Sequence, residues 1–257
     1  MDSIANPPLI EAIAEIRWGK VQSNNNIEFS EKEAQFFMGQ FKAIAAQNGF
    51  SYFERINKPL PDFFPHSVTF RFRKKENSWP CFQIGLGIFT INQFVDGYNW
   101  ESFKKAILSG IDLLDKGHPD SLTGLNAIGV ELRYRDGYVY ENKHDALAFL
   151  KKAFNIELGM LKGDFINSSL IEDELTGAGL VLSFRTKTPP GILIFDLKQG
   201  VINGQKGFIG DTIIRSMDKD APKLNIPNLT DWFENSHNLQ KHAFKTLLNP
   251  AYIKGLE

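Results

Sequence analysis

The chain has 257 residues, of which 42% are hydrophobic and 23% charged, and its formal net charge is −1. This composition is typical of a globular protein with a sizeable core, and the near-neutral balance disfavours a general nucleic-acid binder, whose domain is usually basic. Cys81 is the single cysteine, which fits a reducing cytoplasm, and neither a signal peptide nor a transmembrane helix is predicted.

The first half of the sequence alternates between strand patterns and helix patterns. From Ile10 to Trp18, apolar and polar residues follow each other in turn, which predicts an antiparallel strand with one buried face. Ser30, with Glu33 three residues later, predicts a capping box at the start of a helix that runs to about Gln47. Two short strands, one long β run with two glycines and a second helix are predicted next, at 50–56, 68–74, 81–95 and 100–114.

A similar order returns in the second half, after a linker at 120–125. We predict a strand, a shorter helix, two more strands and a closing helix at 127–140, 144–154, 180–187, 192–196 and 229–248. The segment 198–223 contains four glycines and is either a long loop, which would be functional or mobile, or a plain hairpin. If they are exposed, Phe208 and Ile209 in this segment would suit contact with a partner protein.

Two of the predicted strands carry nearly the same motif, which indicates an internal repeat. Both 12–18 and 128–134 place Glu, an aliphatic residue, Arg and an aromatic residue in succession, with Glu15 and Glu131 in corresponding places. The helices and strands that follow each motif also recur in the same order, so we predict a duplicated chain. The predicted units are a first α+β repeat at 1–119 and a second at 120–257, with an insertion at about 198–223.

Each repeat therefore has the order strand, helix, several antiparallel strands, helix, which is an α+β arrangement. We expect the two units to share one curved antiparallel sheet with the helices on one face. This topology resembles the TATA-binding-protein-like fold, and the resemblance is one of topology alone, without implications for DNA binding. A helix-grip barrel that encloses a ligand cavity is the alternative.

The alternation also predicts a charged sheet face. If the apolar residues of the two motif strands meet the helices, their glutamates and arginines line the uncovered face near the pseudo-two-fold axis. Such residues either form cross-strand ion pairs worth about 0.2–1 kcal/mol each or bind carboxylates or phosphates of a ligand. With the two apolar residues of segment 198–223, the candidate partner- or ligand-binding residues are Glu15, Arg17, Arg71, Arg73, Glu131, Arg133, Arg135, Arg185, Phe208 and Ile209.

Residues that could carry catalysis or bind a metal have no recognisable spacing. His237 and His242 are five residues apart, whereas a metal-binding pair on a helix needs a spacing of three or four. Cys81 lies in an apolar strand and is expected to be a buried structural thiol. We therefore predict no catalytic residues, no metal and no cofactor.

Four short segments together form a recognisable set. They are Asn6-Pro7-Pro8-Leu9-Ile10-Glu11-Ala12 followed by Glu15 to Trp18, the central 128–134 strand, Ile194-Phe195-Asp196, and His237 before Phe244. The set resembles a sporadically distributed prokaryotic family of proteins of similar length, although Val130-Glu131 stands where Gly-Leu is usual and Lys198 where a second acid is common. The resemblance implies no activity, and the family's patchy distribution implies a phage-defence or mobile-element setting.

These observations predict a non-enzymatic binding module in the cytoplasm. We expect an accessory or regulatory subunit that docks a protein partner, in a hetero-complex or a homodimer. The alternative is a sensor that binds an anionic small molecule, such as a nucleotide, on the arginine-bearing sheet face. Nucleic acid and membranes are not expected partners.

Overall fold

All the strands predicted from the sequence join a single sheet. The computed structural model describes residues 7–21, 27–56, 65–140, 146–157, 170 and 176–256, which form a nine-stranded antiparallel sheet, a two-stranded ribbon and five helices. The strands are β1 (Leu9–Trp18), β2 (Lys20–Val21), β3 (Ile27–Glu28), β4 (Tyr52–Arg55), β5 (Phe70–Arg73), β6 (Cys81–Gly85), β7 (Ile88–Phe94), β8 (Ala127–Val139), β9 (Gly179–Thr186), β10 (Gly191–Ile202) and β11 (Gln205–Met217). The helices are α1 (Glu31–Gln47), α2 (Trp100–Gly117), α3 (Ala146–Phe154), α4 (Ile226–Leu247) and α5 (Pro250–Lys254). The predicted start of the 144–154 helix lies outside the described residues.

The three long helices begin at side-chain caps. Ser30 accepts a hydrogen bond from the backbone N–H of Glu33 at the start of α1, and Asn99 and Asn225 cap α2 and α4 in the same way. These side chains satisfy backbone donors that have no partner inside the helix. The predicted cap at Ser30 is thus confirmed, but the carboxylate of Glu33 is used elsewhere, because it accepts from the indole N–H of Trp18 at 2.8 Å.

The sheet has β1 and β8 at its centre and runs in the order β4-β5-β6-β7-β1-β8-β11-β10-β9. β1 and β8 pair antiparallel with Glu15 directly opposite Glu131, so the two motif strands lie in one antiparallel sheet, as predicted. β4 and β9 stand at opposite edges, and no pairing joins them among the strands that the structure describes. The sheet formed by these strands is therefore open, and the helix-grip barrel alternative is wrong for this part of the chain.

The helices cover one face of this sheet. Ile16 and Trp18 of β1 and Leu132 of β8 are buried in a core that includes Phe41 of α1 and Phe233 of α4. A second buried cluster lies toward the β9 edge and joins residues of β8, β10 and β11 to α3, α4 and α5; its buried aromatic members are Tyr138, Tyr140, Phe149, Phe154, Phe195, Phe208 and Phe244. Burial of apolar area in both clusters holds the helices on the sheet. The helix-facing side of β1 and β8 is the one that their alternation predicted.

Two segments form hairpins. The predicted single β run at 81–95 is divided into β6 and β7 by a turn at Leu86 and Gly87, whose φ of 71° favours glycine. Segment 198–223 holds the end of β10 and all of β11, so the hairpin alternative is correct and the long loop is wrong. Asn203 and Gly204, both with positive φ, make the tight turn between these strands, and this dipeptide is a known hairpin signal.

Candidate functional site

The sheet face opposite the helices carries most of the residues predicted to form a site. Alternation along β1 and β8 places Glu15 and Arg17, and Glu131, Arg133 and Arg135, on this face. The register of successive strands places residues of β5, β9 and β11 on the same face. We call this surface the ion-pair face and define it by Glu15, Arg17, Arg71, Arg73, Glu131, Arg133, Arg135, Arg185, Asp211 and Arg215.

Two glutamates form the centre of the ion-pair face. Glu15 and Glu131 are cross-strand neighbours, and like charges in that position repel each other. Arginines offset this repulsion. Arg17 binds Glu15 at 2.6 Å, and Arg133 binds Glu131 through two nitrogens at 2.9 and 2.6 Å. Arg215 of β11 binds the second oxygen of Glu131 at 2.5 Å, so this carboxylate, only 3% exposed, is held from two sides.

Further ion pairs lie on both sides of this centre. Arg135 donates to both oxygens of Asp211 at 2.8 and 2.9 Å, a paired geometry that gives strong charge-assisted bonds. This hydrogen bonding is the main reason that the pKa of Arg135 is raised above its ordinary value. Toward the β4 edge, Arg71 binds Glu54 at 3.2 Å, while the guanidinium of Arg73 lies 4.8 Å from the ring centre of Trp79. The ion pairs therefore extend across strands from both halves of the chain.

The arginines of the ion-pair face all lie near carboxylates, and the seven of them share five carboxylates. Each of its seven arginines has a carboxylate oxygen between 2.5 and 3.9 Å away. An anionic ligand on this face would have to compete with carboxylates that are already in place. Such a surface differs from the basic patches that attract nucleic acids.

Isoleucines lie between the charged residues of this face. Arg133 has Ile13 as its neighbour on β1 and Ile213 as its neighbour on β11, and Ile194 of β10 follows Ile213 in the same row. Ile13 and Ile194 are partly exposed. Apolar area mixed with arginine side chains is the composition found in protein–protein interfaces.

A cavity lies where the ion-pair face meets the β9 edge. It has a volume of about 430 Å³. Arg185, Ile192, Arg215 and Lys219 line it, together with Asp218 and Asp220. Its size is within the range of small-molecule sites. Its lining carries both cations and carboxylates.

The structure places the two apolar candidate residues of segment 198–223, Phe208 and Ile209, on opposite faces of the sheet. Phe208 is fully buried on the helix side, stacked on Phe149 with ring centres 5.9 Å apart, so the expectation that it is exposed is wrong. Ile209 faces the other way and is partly exposed. The alternation that turns Ile209 toward the ion-pair face also places Asp211 and Arg215 there, two residues absent from the predicted set. Both follow Ile209 at an even spacing along β11, and this spacing could have identified them from the sequence.

Cys81 and two of the histidines, His118 and His237, are buried. Cys81 is fully buried, and burial raises the pKa of its thiol to about 11. The ring of His237 stacks on Trp100 with centres 3.9 Å apart, and its Nδ1 lies 3.0 Å from the hydroxyl of Tyr134. His118 is buried next to Glu33. Among the residues that the structure describes, no group of three or more His, Cys, Asp or Glu side chains is arranged to hold a metal ion.

Comparisons with known proteins found no match. The chain matches no protein-family model, no curated protein and no solved structure. Within the described ranges, no helix has both the length and the apolar character needed to cross a membrane.

Proposed function

We propose that this chain is a docking module that holds a protein partner on the ion-pair face, as an accessory or regulatory subunit. The observation that carries this proposal is the pairing of every arginine on the face with a carboxylate, with isoleucines between the pairs. A protein surface can meet such a mosaic with its own charged and apolar groups. Complementary charges of this kind contribute mainly to the specificity and rate of association.

The test is recovery of a stoichiometric partner from the native host. Arg135 is 38% exposed and bound to Asp211, whereas Lys116 is similarly bound to Asp112 but lies on α2, in the helix layer. Arg135→Glu and Lys116→Glu thus make matched charge reversals beside an aspartate on the two sides of the molecule. We expect the partner to be recovered with the wild type and Lys116→Glu and to be lost with Arg135→Glu.

Two outcomes would contradict the docking proposal. One is a native-host purification of the wild type that yields no stoichiometric partner. The other is a partner that stays bound to Arg135→Glu as firmly as to Lys116→Glu. Circular dichroism of both variants controls for unfolding, because each charge reversal removes an ion pair and places a glutamate beside an aspartate.

A second candidate function is the binding of an anionic small molecule, and the cavity lined by Arg185 and Arg215 favours it. A ligand present at 100 times its Kd should raise the free energy of unfolding by about 2.7 kcal/mol. Thermal unfolding with and without ATP or GTP tests this candidate, and Arg185→Ala is expected to abolish the stabilisation. If no nucleotide stabilises the wild type, the candidate is contradicted.

We further propose that the chain is an internal duplication with the TATA-binding-protein-like topology. The strand order supports it, because β1 followed outward by β7, β6 and β5 is matched by β8 followed outward by β11, β10 and β9. A long helix, α2 or α4, follows each hairpin. An experimental structure tests the duplication: residues 9–117 should superpose on residues 127–247 about an axis between Glu15 and Glu131. The phage-defence or mobile-element setting stays a prediction, which the identity of the neighbouring genes will test.

A further inference from the structure

The two edges of the sheet differ in how they are protected. β4 has four residues, two of them charged, and short charged edge strands resist pairing with other chains. β9 has eight residues and reads Gly-Leu-Val-Leu-Ser-Phe-Arg-Thr, with Arg185 as its single charge. Val181 is 58% exposed and Phe184 is 49% exposed. A long edge strand with exposed apolar side chains is a template for pairing with another strand.

We infer that β9 pairs antiparallel with β9 of a second copy of this chain. The strand is self-complementary when the two-fold axis passes through Leu182, perpendicular to the sheet. Leu182 then lies opposite its own copy, and Leu180 lies opposite Phe184 on the helix side. Aliphatic–aromatic cross-strand pairs of this kind stabilise sheets. Phe184, half exposed in one chain, gains an apolar neighbour.

The residues on the other side of β9 also fit this register. Val181 lies opposite Ser183, and Arg185 lies opposite Gly179, so no two arginines meet across the axis. Arg185 already binds Asp220 of its own chain at 3.1 Å. The backbone groups at the outer edge of β9 gain hydrogen-bond partners in the second copy, as in other strand additions.

Pairing about this axis has a structural consequence. A two-fold axis perpendicular to the sheet places the ion-pair faces of both copies on the same side. The two ion-pair faces of such a dimer would bind a partner that has two matching sites more tightly than one face alone. The dimer itself is inferred from the edge strand and does not depend on the docking proposal.

Light scattering over a range of protein concentrations tests the dimer. Phe184→Lys places a charge at the β9 edge, and Phe36→Lys is the matched control because Phe36 is 52% exposed on α1. We expect the wild type and Phe36→Lys to be dimers at micromolar concentration and Phe184→Lys to be a monomer. A wild type that stays monomeric at every concentration, or a Phe184→Lys variant that still dimerises, would overturn the inference.

Cysteine cross-linking tests the register independently. Cys81, the single native cysteine, is buried, so introduced thiols at the edge report on their own positions. A mixture of Val181→Cys and Ser183→Cys should form an intermolecular disulfide under mild oxidation, whereas each variant alone should not, since each residue faces the other across the axis. Absence of the mixed disulfide, or a disulfide formed by Ser183→Cys alone, would overturn the proposed register. Failure of these tests leaves the result of the Arg135→Glu purification unaffected, so the two proposals can fail separately.

Discussion

Replacing Asp136 with Asn tests whether the carboxyl group of Asp136, buried under the helices, destabilises the folded protein when it is charged. Asp136 lies on the helix-facing side of β8 between Tyr134 and Tyr138, and it is 1% exposed. One of its oxygens accepts a hydrogen bond from Tyr138 at 3.2 Å, and the other has no hydrogen-bond partner among the described residues. Burial raises the pKa of this carboxyl from 3.8 to about 7, because the charged form loses its hydration.

The direction of the pH dependence follows from this shift. The folded protein holds the proton more tightly than the unfolded chain, so the stability associated with Asp136 is fully present below pH 3.8 and is lost as the pH rises to about 7. A shift of about three pKa units corresponds to about 4 kcal/mol over the whole window. Of this loss of stability, about 2–3 kcal/mol occurs between pH 5 and pH 8.

Asp136→Asn keeps the shape of the side chain but cannot ionise. We therefore expect the free energy of unfolding of the variant, relative to the wild type, to increase by about 2–3 kcal/mol between pH 5 and pH 8. Urea unfolding followed by circular dichroism at several pH values measures this difference. Asp112→Asn on the surface of α2 serves as the control. If the difference between Asp136→Asn and the wild type is the same at pH 5 and pH 8, the reasoning about the buried carboxyl is refuted.

Two further predictions concern the burial of single side chains. Phe208→Ala should lower the free energy of unfolding by about 3–5 kcal/mol, because it leaves a cavity in the second core cluster, whereas Ile209→Ala on the ion-pair face should cost on the order of 1 kcal/mol; equal losses in urea unfolding would contradict the placement of the two residues. Cys81 should react slowly with a thiol reagent at pH 8 in the folded protein and rapidly in urea, because with a pKa of about 11 only about one thiol in a thousand is ionised. Rapid labelling of the folded protein would show that the thiol is accessible.

Part of the candidate site was open to prediction from the sequence. Alternation along β1 and β8 indicated which residues share a face, and the recurrence of the Glu-x-Arg motif indicated that the two strands correspond. In the structure these two strands are neighbours, with Glu15 opposite Glu131. Arg215 was not assigned to the site, because its contact with Glu131 joins residues that are far apart in sequence and on strands whose adjacency is a long-range property.

The error at Phe208 has a similar physical cause. Period-two alternation divides the residues of a strand between two faces, but both faces of β11 carry apolar residues, so the pattern does not indicate which of them will be covered. That depends on which element packs against the strand. In β11 the covering elements are α3 and α4, and Phe208 is buried among their side chains rather than exposed.

The local sequence by itself determined the start of α1 at Ser30, the tight turn at Asn203-Gly204, and the apolar and charged sides of β1 and β8. Each depends on interactions between residues close together in the chain, such as a cap, a backbone dihedral angle or strand alternation. Only the tertiary structure decided that β11 lies between β8 and β10, that Arg215 holds Glu131, and that β9 ends the sheet of described strands. These features depend on which distant strands pair, and many pairings are compatible with the same alternating pattern.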